Sequence, residues 1–428
     1  MSTLNSAHST PERSIPPHEK WTVGCVAFAA FTFQFEAFLV GVALPDMARE
    51  MGASSTEISF VVMAYLLAAT LTFLPAGRMG VRYGLRTVFL FGTLLSCLGT
   101  LMSGLSTHLP MLWTSRFIQG VGMGALVAVS YAMIPAWIEQ KRLGWGYGML
   151  SFGAGMGMIA GLPVGGILSH YFVWQWIFLA TIPIFVLLFA MAYLHLPREK
   201  PLQNILPKRS GTHWINLFQH HGFFLALLTL FVFQFVSSGV RFLMPFYLEL
   251  SMGMTALMSG VFMLIFPLSF APTGIWAGRL ADRMDARSLV LFAFGMGALI
   301  CALYVGVLEQ LNIWFFCVFM LSFGIVCALF TPPNNRLIMT SLPELKRGEA
   351  SALLPVALNM GSLLGIGFFE TIFSMNFPSQ AHKALLELAS NQATQHAIIE
   401  GFTTAFLYAS IIFFGTFLFL LFNRFRKN

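Results

Sequence analysis

Twelve stretches of the chain are long and apolar enough to cross a lipid bilayer as helices, and this feature constrains the fold most. A spanning helix needs about 20 mostly apolar residues, because in hydrocarbon every backbone N–H and C=O group must be hydrogen-bonded within the segment. None of the stretches alternates apolar and polar residues as a barrel strand does. We therefore predict an all-α membrane protein. The predicted spans are residues 21–44, 57–77, 87–106, 110–138, 146–169, 173–196, 222–248, 255–278, 288–308, 312–337, 349–375 and 400–423.

The composition agrees with a protein whose solvent is lipid. Hydrophobic residues make up 57% of the chain and charged residues 10%, whereas a soluble domain has about 45–50% and about 25% of them. This excludes a disordered chain, a nucleic-acid-binding domain and a secreted disulfide scaffold. The five cysteines lie in apolar runs without zinc or redox spacing, so we interpret them as small core residues. We expect no metal and no cofactor.

The basic residues predict the orientation of the spans. Twelve spans place both termini on one side, and twenty of the 24 lysines and arginines fall on that same side. The positive-inside rule makes this side cytoplasmic, so we interpret the net charge of +7 as topology rather than as nucleic-acid or lipid binding. The first apolar run is too long for a signal-peptide core and is expected to remain as a span. We therefore expect a multi-pass protein of the cell inner (cytoplasmic) membrane.

The longest cytoplasmic connection divides the spans into two sets of six. A duplicated six-helix unit with a site between the halves is the architecture of many secondary transporters. The predicted units are a cytoplasmic N-terminal tail (1–20), an N-terminal bundle (21–196), a central linker (197–221), a C-terminal bundle (222–423) and a cytoplasmic C-terminal tail (424–428).

A local repeat supports this division into halves. The segment from Gly77 to Arg86 recurs 201 residues later, and each copy is predicted to join the second and third spans of its half. Glycine permits a tight turn there, and arginines four residues apart share one face. The candidate residues of this conformational loop are Gly77, Arg78, Arg82, Gly84, Arg86, Gly278, Arg279, Asp282 and Arg283.

The repeated loop resembles the loop motif of the major facilitator superfamily. Four further segments are similar to motifs of its drug:proton antiporter branch of the EmrB/QacA type: residues 36–45, 116–122, 153–166 and 174–179. The resemblance to the superfamily implies two pseudo-symmetric six-helix bundles that rock around a central cavity, which fits the twelve predicted spans, whereas the antiporter branch commonly has fourteen. The chain departs from the family pattern at Val81, where Asp is usual, and at Gln175, where Arg is usual.

Ionisable residues inside spans are candidate functional residues, because each costs about 2.5–3.5 kcal/mol at the centre of a helix by insertion scales. Glu36 lies near the middle of the first span among phenylalanines, where a carboxyl group can bind and release a proton within the cellular range. The resemblance points to the same residue. We expect Glu36 to couple transport to protons and Arg116 to tune it; the alternative is a structural ion pair between Glu36 and Arg116.

Arg241 and Glu370 are the other ionisable residues singled out within spans. Arg241 follows small residues in the seventh span, where its guanidinium could bind an anion; the alternative, pairing with Glu249, would have to bridge eight residues. We interpret Glu370, near the outer end of its span, as mostly structural and reaching toward water. Gln119 is either a ligand or a hydrogen-bonding link between helices. The candidate substrate-binding residues are Arg241, Gln34, Phe38, Gln119, Gln234, Tyr247 and Asn359.

Small residues recur at three- and four-residue spacing in the fifth span. Such spacing permits close contact between helices. The resemblance to the antiporter branch further implies that this packed contact prevents proton leak and that the proline bends the helix. The candidate helix-packing residues are Gly157, Gly161, Pro163, Gly165 and Gly166.

These observations lead to a transporter rather than an enzyme, since no metalloprotease, nucleophile-elbow or Walker motif lies within a span. We expect proton-coupled export of small amphipathic molecules, as in multidrug efflux, by alternating access. One alternative is export of an anionic metabolite such as a carboxylate siderophore, because two cations lie within spans. A symporting importer is another, which the antiporter-like motif of the fifth span disfavours. The alternative from a different class is a non-transporting sensor or assembly factor on a transporter fold. The expected partners are a small-molecule substrate, protons and the bilayer, without nucleic acid, and the chain is expected to act as a monomer.

Overall fold

The computed structural model of the chain describes residues 16–139, 142–198, 219–341, 347–375 and 392–425, all helical or in short connections. Twelve of its helices are long and apolar enough to cross a membrane, which confirms the predicted number of spans. They are α1 (Pro17–Met51), α2 (Ser55–Tyr83), α3 (Leu85–Gly104), α4 (Leu109–Trp137), α5 (Leu143–Tyr171), α6 (Trp176–Leu179 and Ile182–His195), α7 (His221–Phe246, continued by a π-helical turn, Tyr247–Ser251), α8 (Ala256–Met263 and Ile265–Arg283), α9 (Ala286–Val305), α10 (Ile313–Thr340), α11 (Arg347–Ser374) and α12 (Gln392–Phe425).

Most helices extend beyond the predicted apolar runs. α2 begins at a capping box in which the backbone N–H of Ser54 donates to Glu57 Oε2 (2.9 Å) and the N–H of Glu57 donates to Ser54 Oγ (3.2 Å). α1 ends at Gly52, whose φ of 61° is left-handed. Capping groups satisfy the orphan backbone groups of a helix end, so a helix can continue past the apolar core of the bilayer to its next cap.

The repeated motif was predicted to be a loop, and that prediction is wrong for most of its residues. Gly77, Arg78 and Arg82 lie within α2, and Gly278 to Arg283 lie within α8. In the first copy the chain reverses at Gly84, where φ is 93°, a value that favours glycine, and in the second copy it reverses at Met284 and Asp285. The polar residues of the motif interrupt the apolar run but do not end the helix, because the backbone hydrogen bonds continue through them.

The arginines of the first motif copy lie at the end of the bundle where α1 begins. The Arg86 side chain donates to the Tyr193 carbonyl of α6 (2.6 Å), a carbonyl near the C-terminus of that helix, where a cation is favourable. After the second copy, Asp285 caps α9 by accepting from the backbone N–H groups of Arg287 and Ser288 (both 3.3 Å). The side chains of Arg279 and Asp282 lie outside the described part of the chain.

The helices form two six-helix bundles, α1–α6 and α7–α12, as predicted. One hydrophobic core lies wholly within the first bundle. A second core fills the other bundle and continues into α1, α2 and α5 of the first, through residues such as Leu44, Ile58 and Leu162. These residues belong to the half of the molecule opposite the start of α1 and the end of α12, which we call the distal end. The two bundles therefore pack on each other at the distal end.

Glycines of α5 bring its backbone against α1. A Cβ atom added at Gly153, Gly157, Gly161 or Gly165 would meet the backbone of Ala27, Phe31, Phe35 or Leu39 of α1, respectively. Gly166 instead faces Ala256 and Leu257 of α8, in the other bundle. α5 runs through Pro163 without ending. Four of the five candidate packing positions thus lie at close helix contacts, three within a bundle and one between bundles.

Gly157→Ala is expected to destabilise the protein, because the added methyl group would overlap the α1 backbone, and overpacking costs about 1–3 kcal/mol. Gly155 lies on the same helix with no atom within 4 Å of an added Cβ. Gly155→Ala is therefore the matched control and should leave stability unchanged or raise it by up to about 1 kcal/mol through helix propensity. Thermal unfolding of the detergent-solubilised proteins measures both, and equal midpoints for the two variants would contradict the close contact.

Candidate functional site: a central cavity and a buried carboxyl network

A cavity of about 370 Å³ lies between the two bundles. This volume is within the range of small-molecule sites, about 300–1,000 Å³. The wall is formed by α1, α2, α4 and α5 on one side and by α7, α8, α10 and α11 on the other. Of the candidate residues from the sequence, six line the cavity: Gln34, Phe38, Arg116, Gln234, Arg241 and Asn359.

Tyr247 was predicted to bind substrate, but it lies in the core of the C-terminal bundle. Its side chain is buried, and its hydroxyl donates to the Leu308 carbonyl (3.2 Å). Its ring packs against Tyr304, Phe316 and Phe402. The sequence shows only that Tyr247 is aromatic and within a span; the rotation of α7 turns its ring into the bundle. Tyr247 therefore does not line the cavity in this structure, which disagrees with the prediction that it binds substrate.

Glu36 lies behind the cavity wall, inside the N-terminal bundle. It is 1% exposed and is absent from the described residues that line the cavity. Its carboxylate accepts hydrogen bonds from Gln119 Nε2 (2.7 Å to each oxygen), Thr100 Oγ1 (3.4 Å) and Thr181 Oγ1 (3.3 Å). The carboxyl group thus contacts neither lipid nor the cavity, but side chains from α3, α4 and α6.

Gln119 connects this carboxylate to the cavity wall. Its amide oxygen accepts from Arg116 Nη1 (2.5 Å), while its amide nitrogen donates to Glu36. The direct ion pair between Glu36 and Arg116, one of the alternatives from the sequence, is therefore wrong, since the amide of Gln119 lies between the two charges. Gln119 acts as a link between helices, and it lies outside the set of described residues that line the cavity.

Arg116 is the member of this network that reaches the cavity. It is 1% exposed and its Nε donates to the Val61 carbonyl (3.2 Å). Its guanidinium carbon lies 4.3 Å from the centre of the Tyr65 ring and 5.6 Å from that of Phe178, distances at which aromatic faces stabilise a cation. A hydrogen-bonded chain therefore runs from Arg116 on the wall through Gln119 to Glu36 in the interior.

Sequence reasoning missed two members of this network, Thr100 and Thr181. A single threonine in an apolar helix usually bonds a backbone carbonyl of the preceding turn, and Thr100 and Thr181 also do so. Their second role is therefore invisible in the pattern. Thr181 occupies the break between the two segments of α6, which only the structure shows. Irregular backbone inside a membrane protein lies against protein or a cavity rather than lipid, which agrees with the position of Thr181 beside the carboxylate.

Arg241 faces the cavity from the C-terminal bundle. Its Nε donates to the Ser237 carbonyl and its Nη2 to Ser238 Oγ, both at 3.2 Å. Its guanidinium carbon lies 5.2 Å from the centre of the Phe266 ring. The pairing of Arg241 with Glu249, left open by the sequence, is wrong: the nearest cation to the Glu249 carboxylate is Arg49 of α1, at 4.0 Å.

A polar cluster continues from Arg241 along the same wall. Gln234 Nε2 donates to Ser238 Oγ (2.9 Å) and to Ser362 Oγ (3.0 Å), and these two hydroxyls are 2.9 Å apart. Asn359 is one turn from Ser362 on α11, and its buried Nδ2 has no hydrogen-bond partner. Ser362 was not identified from the sequence, because a serine within a span has many structural roles.

Two contacts between the bundles close the distal end. Ser55 Oγ and Thr56 Oγ1 of α2 donate to Glu370 Oε1 of α11 (3.0 and 2.8 Å), and Arg49 lies near Glu249 as described. Glu370 is 1% exposed, so the expectation that it reaches water is wrong; its structural role stands as a buried link between α11 and α2. Within the described ranges, no three His, Cys, Asp or Glu side chains come together as metal ligands would.

Comparison with known proteins places this geometry in context. A family model described as the Major Facilitator Superfamily matches residues 26–366. The riboflavin transporter RibZ of Clostridioides difficile (strain 630) is 23% identical over 427 residues, which cover 88% of this chain and 94% of that protein. A putative multidrug resistance protein MdtD of Pectobacterium carotovorum subsp. carotovorum (strain PC1) is 23% identical, with 85% and 89% covered.

Solved structures share the fold at low sequence identity. A bacterial homologue of the human lysosomal transporter Spinster, in an inward-facing and unoccupied conformation, matches with a TM-score of 0.78 at 14% identity and covers 95% of this chain and 97% of that one. A D-xylose–proton symporter matches with a TM-score of 0.68 at 15% identity, covering 92% and 95%. At these identities the structural matches show the fold alone.

Proposed function

Because the chain belongs to the major facilitator superfamily, we propose that it exports small amphipathic molecules in exchange for protons by alternating access. The family assignment makes the protein a transporter rather than an enzyme, spanning the inner membrane many times. Its substrate, the coupling to protons, the cytoplasmic placement of both termini and action as a monomer belong to the proposal.

The observation that carries the proposal is the chain of contacts from Arg116 through Gln119 to Glu36. An ionised Glu36 accepts from the Gln119 amide nitrogen with both oxygens, which turns the amide oxygen toward Arg116. A protonated carboxyl group becomes a donor at one oxygen. Rotation of the Gln119 amide would let its oxygen accept from that O–H, and the amide oxygen would then no longer bind the Arg116 guanidinium, which becomes available to the cavity. The protonation state of an interior group would then change the charge presented to the substrate.

The contacts between the bundles identify the side of the membrane from which the cavity is closed in this state. The contacts of Glu370 and Glu249 join the bundles at the distal end, which the positive-inside rule assigns to the outside. In this state the cavity would receive substrate from the cytoplasm. Two of the relatives are named for riboflavin transport and multidrug resistance, which favours organic, partly aromatic cargo.

Flux across reconstituted membranes tests the proposal. We expect proteoliposomes with a pH difference to accumulate 1-naphthoate or riboflavin on the acidic side, while an enclosed pH dye reports the collapse of the gradient. Protein-free liposomes provide the control. If no member of an anionic, neutral and cationic panel moves or shifts the pH, the chain is a sensor or assembly factor on a transporter fold, and the proposal is rejected.

A further inference from the structure

The charge on the cavity wall has one sign. Among the described side chains that line the cavity, two are charged and both are arginines, Arg116 and Arg241. The nearest acidic group along the wall is Glu36, which lies behind it and reaches Arg116 only through Gln119. The site therefore presents positive charge to whatever enters, in an environment where water screens charges poorly.

The two arginines differ in how the protein satisfies them. Arg116 has an amide oxygen, a backbone carbonyl and two aromatic rings around it, with a carboxylate behind the amide. Arg241 has one carbonyl, one hydroxyl and one ring, and forms no ion pair with any described carboxylate. A guanidinium carries five N–H donors, so Arg241 keeps donors and an unbalanced charge for a ligand.

A second donor without a partner lies along the same wall. The Nδ2 of Asn359 is buried and lacks an acceptor, and buried donors are costly unless they are paired. Ser238 and Ser362 connect the Arg241 end of the cluster to the Asn359 end through their hydroxyls. This wall therefore has unpaired hydrogen-bond donors and a positive charge, and both would be satisfied by a negatively charged acceptor.

The facing wall is mainly apolar. Phe33, Phe38 and Leu66 line it together with other apolar residues of α1 and α2, and its polar members are Gln34, Tyr65 and Arg116. An aromatic or aliphatic body fits against the apolar residues. The two walls together are complementary to a ligand with one anionic end and one apolar end.

We propose that Arg241 and Asn359 form an anion subsite, and that the cargo is a small amphipathic acid whose carboxylate binds there while its apolar body lies against α1 and α2. Organic cations are disfavoured, because the described wall offers two positive charges and no carboxylate. This inference rests on the proposed function, since it takes the cavity to be the transport site, and it specifies the chemical class of the substrate.

Three probes with one aromatic body test the inference: 1-naphthoate, 1-naphthalenemethanol and 1-naphthylmethylammonium, which are anionic, neutral and cationic near neutral pH. Binding to the purified full chain in nanodiscs is measured calorimetrically without any gradient. We expect 1-naphthoate to bind about tenfold tighter than the cation or better, as a charge-assisted bidentate contact allows. Arg241→Gln should remove about tenfold of the anion's affinity and leave the alcohol within about threefold.

Control variants separate this site from a general charge effect. Arg287 is an exposed arginine at the start of α9, far from the wall, and Arg287→Gln should leave all three affinities unchanged. Asn359→Leu should weaken the anion selectively, and Arg241→Lys should weaken it less than Arg241→Gln. These variants carry the test if Arg241→Gln fails to fold in a thermal unfolding assay.

Two results would overturn the inference: equal affinities of the three probes for the unaltered protein, or tightest binding of the cation. Neither depends on proton coupling, because no gradient is present. Selective anion binding without proton-driven flux would reject the proposed function and keep the anion subsite. Proton-driven export of the cation alone would keep the function and reject the subsite.

Discussion

Glu36→Gln is expected to reduce proton-driven export to the level of protein-free liposomes while leaving the protein folded. The glutamine side chain has nearly the same shape, and its amide oxygen can still accept from Gln119 and Thr100. It cannot bind and release a proton, so the step that links Arg116 to the proton gradient is lost. The buried position of Glu36, at 1% exposure, leaves no water to substitute for it.

Exchange of labelled for unlabelled 1-naphthoate across liposomes without a gradient should persist in this variant. Exchange needs the cavity and the movement of the bundles, but no net transfer of protons. Glu309→Gln provides the matched control, because Glu309 is an exposed acid at the distal end and should leave both activities intact. Uphill accumulation by Glu36→Gln at the rate of the unaltered protein would reject Glu36 as the proton carrier.

Gln119→Leu separates the carboxyl group from its connection to the wall. The variant keeps Glu36 but removes the amide that bonds both Arg116 and Glu36. We expect weakened coupling, seen as fewer protons moved per substrate. Unchanged coupling would show that the proton reaches the cavity by another route.

Glu370→Leu is expected to shift the protein toward a state that is open at the distal end. The substitution removes the acceptor of the Ser55 and Thr56 hydroxyls, and a hydrogen bond to a charged group contributes about 1.5–3 kcal/mol. A change of 1.4 kcal/mol alters a population ratio by about tenfold, so the closed state should lose at least that factor. Glu370→Gln keeps an acceptor oxygen and should have a smaller effect.

Distances between spin labels at His108 and Gln310 report this opening. These positions lie on exposed distal segments of the two bundles, and the five native cysteines are replaced in the background. Glu370→Leu should add a population at longer distance, and Glu400→Leu, which removes an exposed acid from the distal part of α12, should not. An unchanged distance distribution in Glu370→Leu would show that this contact does not hold the bundles closed.

Much of the fold could be predicted from the residues, because the bilayer imposes local requirements. The number of spans follows from apolar run lengths and the division into two bundles from a repeated motif. The charges of Glu36, Arg116 and Arg241 within spans stand out because charge is costly in lipid. Helix ends were predicted less well: Arg78 and Arg82 looked like loop residues and lie in α2, because capping groups rather than hydropathy end a helix.

The partners of the buried groups needed the tertiary structure. Glu36 and Arg116 have opposite charges and seemed suited to a direct pair, yet Gln119 lies between them. Tyr247 and Asn359 are both polar residues within spans, yet only Asn359 reaches the cavity. Each outcome depends on the rotation of one helix about its axis by a fraction of a turn, which no local pattern of this chain encodes.

A reader of the residues alone can recognise a twelve-helix membrane protein that carries rare charges at particular depths. Backbone hydrogen bonding in lipid is satisfied within each helix, so each span can be recognised alone. The position of the carboxyl group behind the wall, its connection to Arg116 through an amide and the pairing of two arginines on the wall are seen first in the packed helices. Those relations join residues 36, 116, 119 and 241 on three helices, and packing between helices sets them.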